Sequence, residues 1–120
     1  MGRVATVIGV NIPTVAITGV PDPLPEGLVV LDVREDDEWR AGHVEGAVHI
    51  PLGDLGERVA EVPTDQQVLV VCKVGGRSAR ATGWLAQRGV EAVNLDGGML
   101  EWEGAGRPMV SEDGEAPRVV

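Results

Sequence analysis

Apolar positions in this chain gather into blocks, and the blocks set its architecture. Solid apolar runs occur at LVVLDV (28–33) and QVLVV (67–71), with a shorter one at EAVNL (91–95). Continuous runs of this length predict strands buried on both faces, as in a parallel sheet. TVAI (14–17) and GAVHIPL (46–52) predict two more short strands, the second closed by Pro51. The stretch TGVPDPLPEG (18–27) is too rich in proline and glycine for a long helix.

Helical patterns fill the gaps between these runs. REDDEWRAG (34–42) is polar, of helix-forming composition, and stops at Gly42, with Asp32 and Glu35 at capping-box spacing ahead of it. LGDLGERVAEVP (52–63) sets Leu52, Leu55, Val59 and Val62 on one helical face and ends before Pro63. SARATGWLAQRG (78–89) predicts a helix with Ser78 as N-cap, Ala81, Trp84 and Leu85 on one face, and Gly89 as the stop. GGMLEWEGAGRP (97–108) predicts a short helix with Met99 and Trp102 on one side. The last dozen residues are polar and predict a loosely ordered, solvated tail. Strand and helix alternate throughout, which predicts one α/β domain over residues 1–120, with its core at about 12–110 and a polar tail at 111–120. In such sheets ligands sit beyond the carboxyl ends of the strands. Asp32 with Arg34, and Cys72 with the residues after it, fall there.

Composition narrows the function. Ten Lys and Arg against nineteen Asp and Glu give a formal charge of −9, which disfavours nucleic acid and anionic membranes as partners. One cysteine cannot form an internal disulfide, no apolar run reaches transmembrane length, and Asn11 with Pro13 interrupts a signal-like start. A cytoplasmic location is the expectation. Gly2 with Thr6 fits the bare myristoylation pattern, which is short and common. With three Trp and no Phe or Tyr, Trp39, Trp84 and Trp102 are the expected aromatic anchors of the core, and Trp102 an expected wall of the site.

The one cysteine lies in VLVVCKVGGRSAR (68–80). After VLVV it reads equally as a small buried hydrophobe. The residues that follow favour chemistry. Gly75 and Gly76 let the backbone turn its amides toward one point, and the helix beginning near Ser78 aims free N–H groups the same way. No acid occurs between Asp65 and Glu91, while Lys73, Arg77, Arg80 and Arg88 all do, a local reversal of sign in an acidic chain. A thiol in such a nest ionises more easily and can meet an anionic substrate. His43 and His49 are the only candidate bases for a protease-like mechanism, and neither sits in a motif. One Cys and two His make no zinc pattern, and nothing calls for a cofactor. An ionised thiolate acting on an anion with a stable anionic leaving group needs no general acid. Sulfane-sulfur transfer and phosphate-ester or arsenate chemistry both answer that description.

LDVREDDEWRAGHVEGAVHIPLGDL (31–55), VLVVCKVGGRSARATGWLAQRGV (68–90) and NLDGGMLEWEGAGRPM (94–109) resemble, in order and spacing, the three signature segments of a single-domain rhodanese. The resemblance covers about residues 12–110. It implies a mainly parallel five-stranded sheet with helices on both faces. It implies that Cys72 is the persulfide-forming, catalytic cysteine. Lys73, Val74, Gly75, Gly76 and Arg77 would form the loop around the sulfur, Ser78 would open the helix behind it, and Arg34 would sit near the active-site rim among the substrate-binding residues. Gly97, Gly98 and Trp102 would pack beside the loop. The implied activity is thiosulfate sulfurtransferase: sulfur passes from a small anionic donor such as thiosulfate, or from a persulfide donor, which can be a protein, to cyanide or a thiol. Three other readings stand beside it. Rhodanese-like domains that serve as non-catalytic binding or regulatory modules have usually lost the cysteine, which this chain keeps. A dedicated sulfur carrier would differ only in the surface around the loop. A phosphatase or arsenate reductase would carry five residues between Cys and Arg, whereas here Lys73, Val74, Gly75 and Gly76 make four.

Overall fold

The computed structural model describes Val4, the backbone of Val7–Gly9, and residues 12–120. The Gly2–Thr6 myristoylation match lies outside the described residues. Strands β1 (Val7–Gly9), β2 (Ile12–Val15), β3 (Val29–Asp32), β4 (Val48–His49), β5 (Gln67–Val71) and β6 (Glu91–Leu95) form one sheet in the order β1-β2-β6-β5-β3-β4. All neighbours from β2 to β4 pair in parallel, and β1 pairs antiparallel with β2. The expected five parallel strands are present, with β1 added at one edge. β2 begins two residues before the expected 14–17, and Ile17–Gly19 turns instead as a 3-10 helix.

β5 is the centre. All five of its residues are buried, between β3 and β6. Its side chains divide by the period of two. Leu69 and Val71 join Val93, Leu95, Met99 and Trp102 on one face. Val68 and Val70 join Leu31, Leu55, Ala81 and Leu85 on the other, and Cys72 continues that second row. The helices α1 (Asp36–Ala41), α2 (Leu55–Arg58), α3 (Gly76–Ala86) and α4 (Gly98–Gly104) cover the sheet. No helix among the described residues is long and apolar enough to cross a membrane.

Two predicted helix details are corrected. Residues 52–63 do not form one helix: α2 is a single turn between 3-10 turns at Leu52–Asp54 and Val59–Glu61. Gly53 and Gly56 weaken a helix here by about 1 kcal/mol each, while the buried Leu55 and Val62 keep the segment against the sheet. At α1 the N-cap is Glu35, whose N–H donates to Glu38 at 3.0 Å. Asp32 is not part of that cap. Its carboxylate accepts the Arg34 guanidinium from Nε at 2.9 Å and Nη2 at 2.7 Å, and Nη2 also donates to the Gly42 carbonyl at 2.7 Å. Both side chains are fully buried.

The tail is also more ordered than its composition predicts. His43 and Val110 exchange backbone hydrogen bonds, Glu112 N–H donates to the Arg40 carbonyl, and Arg118 N–H donates to the Ala41 carbonyl. A Cβ at Gly42 would lie 2.5 Å from the Arg118 carbonyl oxygen, so the absent side chain is what lets the tail cross α1. Glu112 accepts the Trp39 indole N–H at 3.0 Å.

Replacing Asp32 leaves a buried guanidinium without its counter-charge. Asp32→Asn should destabilise the fold by roughly 3–5 kcal/mol, read as a lower denaturant midpoint with an unchanged slope.

Candidate active site

β5 delivers Cys72 to the carboxyl edge of the sheet, and four residues later α3 begins. Between them the chain must reverse in a few residues. Gly75 makes the turn at φ +104°, a conformation that penalises any residue with a Cβ. The result is a short loop wrapped round the Cys72 sulfur. Gly75 N–H donates to Sγ at 3.1 Å and the Ser78 hydroxyl lies 3.2 Å from it. Burial pushes the thiol up, but the Ser78 hydroxyl and the amides of Ser78, Gly75 and Val74 together outweigh it and hold Cys72 below the value of an ordinary thiol.

Amides can face the sulfur only if the loop carbonyls turn away and find partners elsewhere. Those partners are the free N–H groups at the start of α4. Met99 N–H donates to the Cys72 carbonyl at 2.8 Å and Leu100 N–H to the Lys73 carbonyl at 3.1 Å. A Cβ at Gly98 would sit 2.4 Å from the Cys72 carbonyl oxygen, and φ there is +61°. The Gly97-Gly98 pair therefore lies against the loop, where its resemblance to the closing rhodanese segment puts it.

Ser78 corrects one expectation. The cap of α3 is Gly75, and Ser78 stands inside the first turn, fully buried, with its hydroxyl aimed at the sulfur. The same hydroxyl lies 2.6 Å from Asn94 Oδ1 on β6. A hydroxyl has one proton, so it can serve the sulfur or the amide oxygen, not both. Turned end for end, the Asn94 amide offers its N–H to the hydroxyl and frees that proton for a sulfur anion. Asn94 went unread in the sequence; its only signal was a polar residue between the apolar Val93 and Leu95.

The charge around the loop also differs from the sequence reading. Arg77 is held by Glu38 of α1 in a two-pronged pair at 2.8 and 2.9 Å. The Arg77 hydrogen bonds draw the Glu38 carboxyl down against the opposing effect of burial, and Glu38 draws the guanidinium up. Among the described residues Lys73 and Arg80 make no ion pair. Val74, at the outer turn of the loop, is 59% exposed.

Arg34 does not stand on an open rim. It is fully buried with Asp32 and has no solvent-facing side chain. His43 and His49 both stack on the Trp39 indole, at ring-centre distances of 3.5 and 4.6 Å. His43 Nδ1 meets the Trp39 carbonyl and His49 Nε2 the Arg34 carbonyl. Neither is a hydrogen-bond partner of the thiol. Trp102 is buried in the core and lines a separate cavity of about 200 Å³ with Leu24, Val44 and Met109, and Cys72 is not among that cavity's walls. Among the described residues no group of three or more His, Cys, Asp or Glu is placed to hold a metal ion.

Known proteins share this fold. The family model described as "Rhodanese-like domain" matches residues 20–105. YtwF of Bacillus subtilis, a protein whose sulfurtransferase name is itself provisional, is 39% identical over 83 residues, covering 69% of this chain and 81% of its own. A protein of Allochromatium vinosum named sulfurtransferase is 33% identical over 90 residues, covering 74% of this chain and 84% of its own. The crystal structure of a rhodanese-related protein from Thermoplasma volcanium superposes with a TM-score of 0.76 at 31% identity, over 81% of this chain and 96% of that one.

The thiolate absorbance of Cys72 should titrate below that of an ordinary cysteine. Ser78→Ala removes a donor to the sulfur anion while leaving the burial that opposes it, so the midpoint should move upward in the same ultraviolet titration.

Proposed function

The chain belongs to the rhodanese-like domain family, and on that premise we propose that it is a sulfurtransferase that carries sulfane sulfur as a Cys72 persulfide. The observation that carries the proposal is the ring of donors round Sγ: Gly75 N–H, the Ser78 hydroxyl, and the neighbouring amides that lower the thiol's proton affinity.

In the first half-reaction the Cys72 thiolate attacks the outer sulfur of thiosulfate, or the outer sulfur of another persulfide. A new S–S bond forms, the donor's S–S bond breaks, and sulfite or the donor thiolate leaves with the electron pair. In the second, a nucleophile attacks the outer sulfur of the Cys72 persulfide. Cyanide leaves as thiocyanate, or a thiol leaves as a persulfide, and Cys72 returns as the thiolate. No net oxidation occurs, because a zero-valent sulfur passes from hand to hand. Donors fixed before the reaction stabilise the sulfur anion in both half-reactions, on the logic of an oxyanion hole. Two half-reactions through one covalent intermediate give ping-pong kinetics.

Residues of the loop divide by role. Val74, Gly75, Gly76 and Ser78 supply the backbone and hydroxyl environment of the sulfur. Lys73 attracts an anionic donor at the mouth. Arg77, paired with Glu38, braces the loop against α1 and offers less charge to a donor than its place in the sequence implies. A phosphatase reading is disfavoured for the same reason: its arginine would have to face the substrate. The proposed setting is cytoplasmic, within a single domain, and the proposed partners are a small anionic or persulfide donor and a cyanide or thiol acceptor.

Mass spectrometry of the intact protein tests the reading. Incubation with thiosulfate or a polysulfide should add one sulfur atom, later addition of cyanide should remove it as thiocyanate, and Cys72→Ala should gain none. If neither donor adds sulfur to the wild-type protein, the sulfurtransferase reading falls and a non-catalytic module takes its place.

A further inference from the structure

The large hydrophobic side chains exposed among the described residues are Val74 at 59%, Leu100 at 40% and Val120 at 44%. Val120 is the last residue. The other two flank the Cys72 loop. Val74 is the outer turn of that loop, and Leu100 is tied to it by the hydrogen bond from its N–H to the Lys73 carbonyl. Exposed aliphatic groups are thus concentrated where the reacting sulfur must be reached, and Cys72 itself is 0% exposed.

An inorganic donor or acceptor has no use for such a rim. Thiosulfate and cyanide are small hydrated anions that gain nothing from an isopropyl or isobutyl group. Arg77 is committed to Glu38, and two acids, Asp96 and Glu101, flank the start of α4. Lys73 can meet one anionic group at the mouth, while the chain around it, at −9 overall, repels a thiol carried on several phosphates. A peptide meets the conditions: it brings a sulfur on a thin arm, carries no obligatory charge, and can lay an aliphatic neighbour on the rim.

We propose that Val74 and Leu100 form an aliphatic collar that selects, as sulfur acceptor, a cysteine flanked by an aliphatic residue on an extended segment of a partner protein. This rests on the sulfur-transfer reading above. The step balances simply. The acceptor sulfur bonds to the outer sulfur of the Cys72 persulfide and the Cys72 S–S bond breaks. The acceptor becomes a persulfide, Cys72 leaves as the thiolate, and the acceptor's proton passes to solvent.

The test loads Cys72 with sulfur from a polysulfide, confirms release to cyanide, and then measures transfer to two probes, acetyl-Gly-Cys-Leu-amide and acetyl-Gly-Cys-Gly-amide. Partial burial of one leucine against the collar should favour the leucine peptide about five- to tenfold in kcat/KM. Leu100→Ser and, separately, Val74→Ser should bring that ratio close to one, each checked for folding by its unfolding transition. A wild-type ratio near one, or a ratio that both variants retain, overturns the collar while leaving sulfur transfer intact. A loaded protein that yields nothing to cyanide overturns both.

Discussion

The backbone of residues 72–78 has one peptide direction that works. To gather N–H groups round a sulfur, its carbonyls must point outward, and outward at this edge of the sheet is still inside the protein. An unpaired buried carbonyl costs as much as a lost hydrogen bond or more. The first free amides of α4 accept that task by donating to the carbonyls of Cys72 and Lys73. They can come close enough only because Gly98 has no Cβ to strike the Cys72 carbonyl. The amides of α4 thereby hold the loop in the orientation that turns its own N–H groups toward the thiol.

Much of this was legible in the sequence because it is local. β5 and β6 match the expected 67–71 and 91–95, since an unbroken apolar run flanked by turn residues has few other places to go. The thiol loop and the paired glycines of 97–98 were legible through family resemblance. What the sequence did not show are contacts between distant residues. Glu38 reaches Arg77 across 39 positions, and Asn94 reaches Ser78 across 16. Read along the chain, residues 66–90 look basic; read in space, an acid from α1 cancels the central charge. Ser78 illustrates the same limit. A serine before a helical pattern is a good cap by propensity, yet Gly75 can adopt the turn and the buried sulfur gives the hydroxyl a better use. Arg34 was placed on a rim by motif, and went inside because Asp32, two residues earlier, neutralises it there.

The site thus rests on two polar arrangements with different jobs, one fully buried and one partly so. Asp32 and Arg34 tie the end of β3 to the Gly42 carbonyl at the end of α1 and so fix where that helix lies. Glu38, on the same helix, then fixes Arg77 at the start of α3. Trp39, stacked with two imidazoles, locks the remaining side of α1 to β4. A six-residue helix has little stability of its own. Here it is held from three directions, and its acid arrives where the loop needs a brace.

The strap formed by residues 110–118 bears on how the protein is made. It hydrogen-bonds to Arg40, Ala41 and His43, and its Glu112 takes the indole of Trp39. During synthesis these partners leave the ribosome long before the strap exists. α1 gains its outer cover only once residues 110–118 have been made. Until then Arg40, Ala41 and His43 lack these backbone partners and the Trp39 indole lacks its acceptor. The outer cover of α1 is accordingly the last of its supports to be made, well after the helix and the loop it braces.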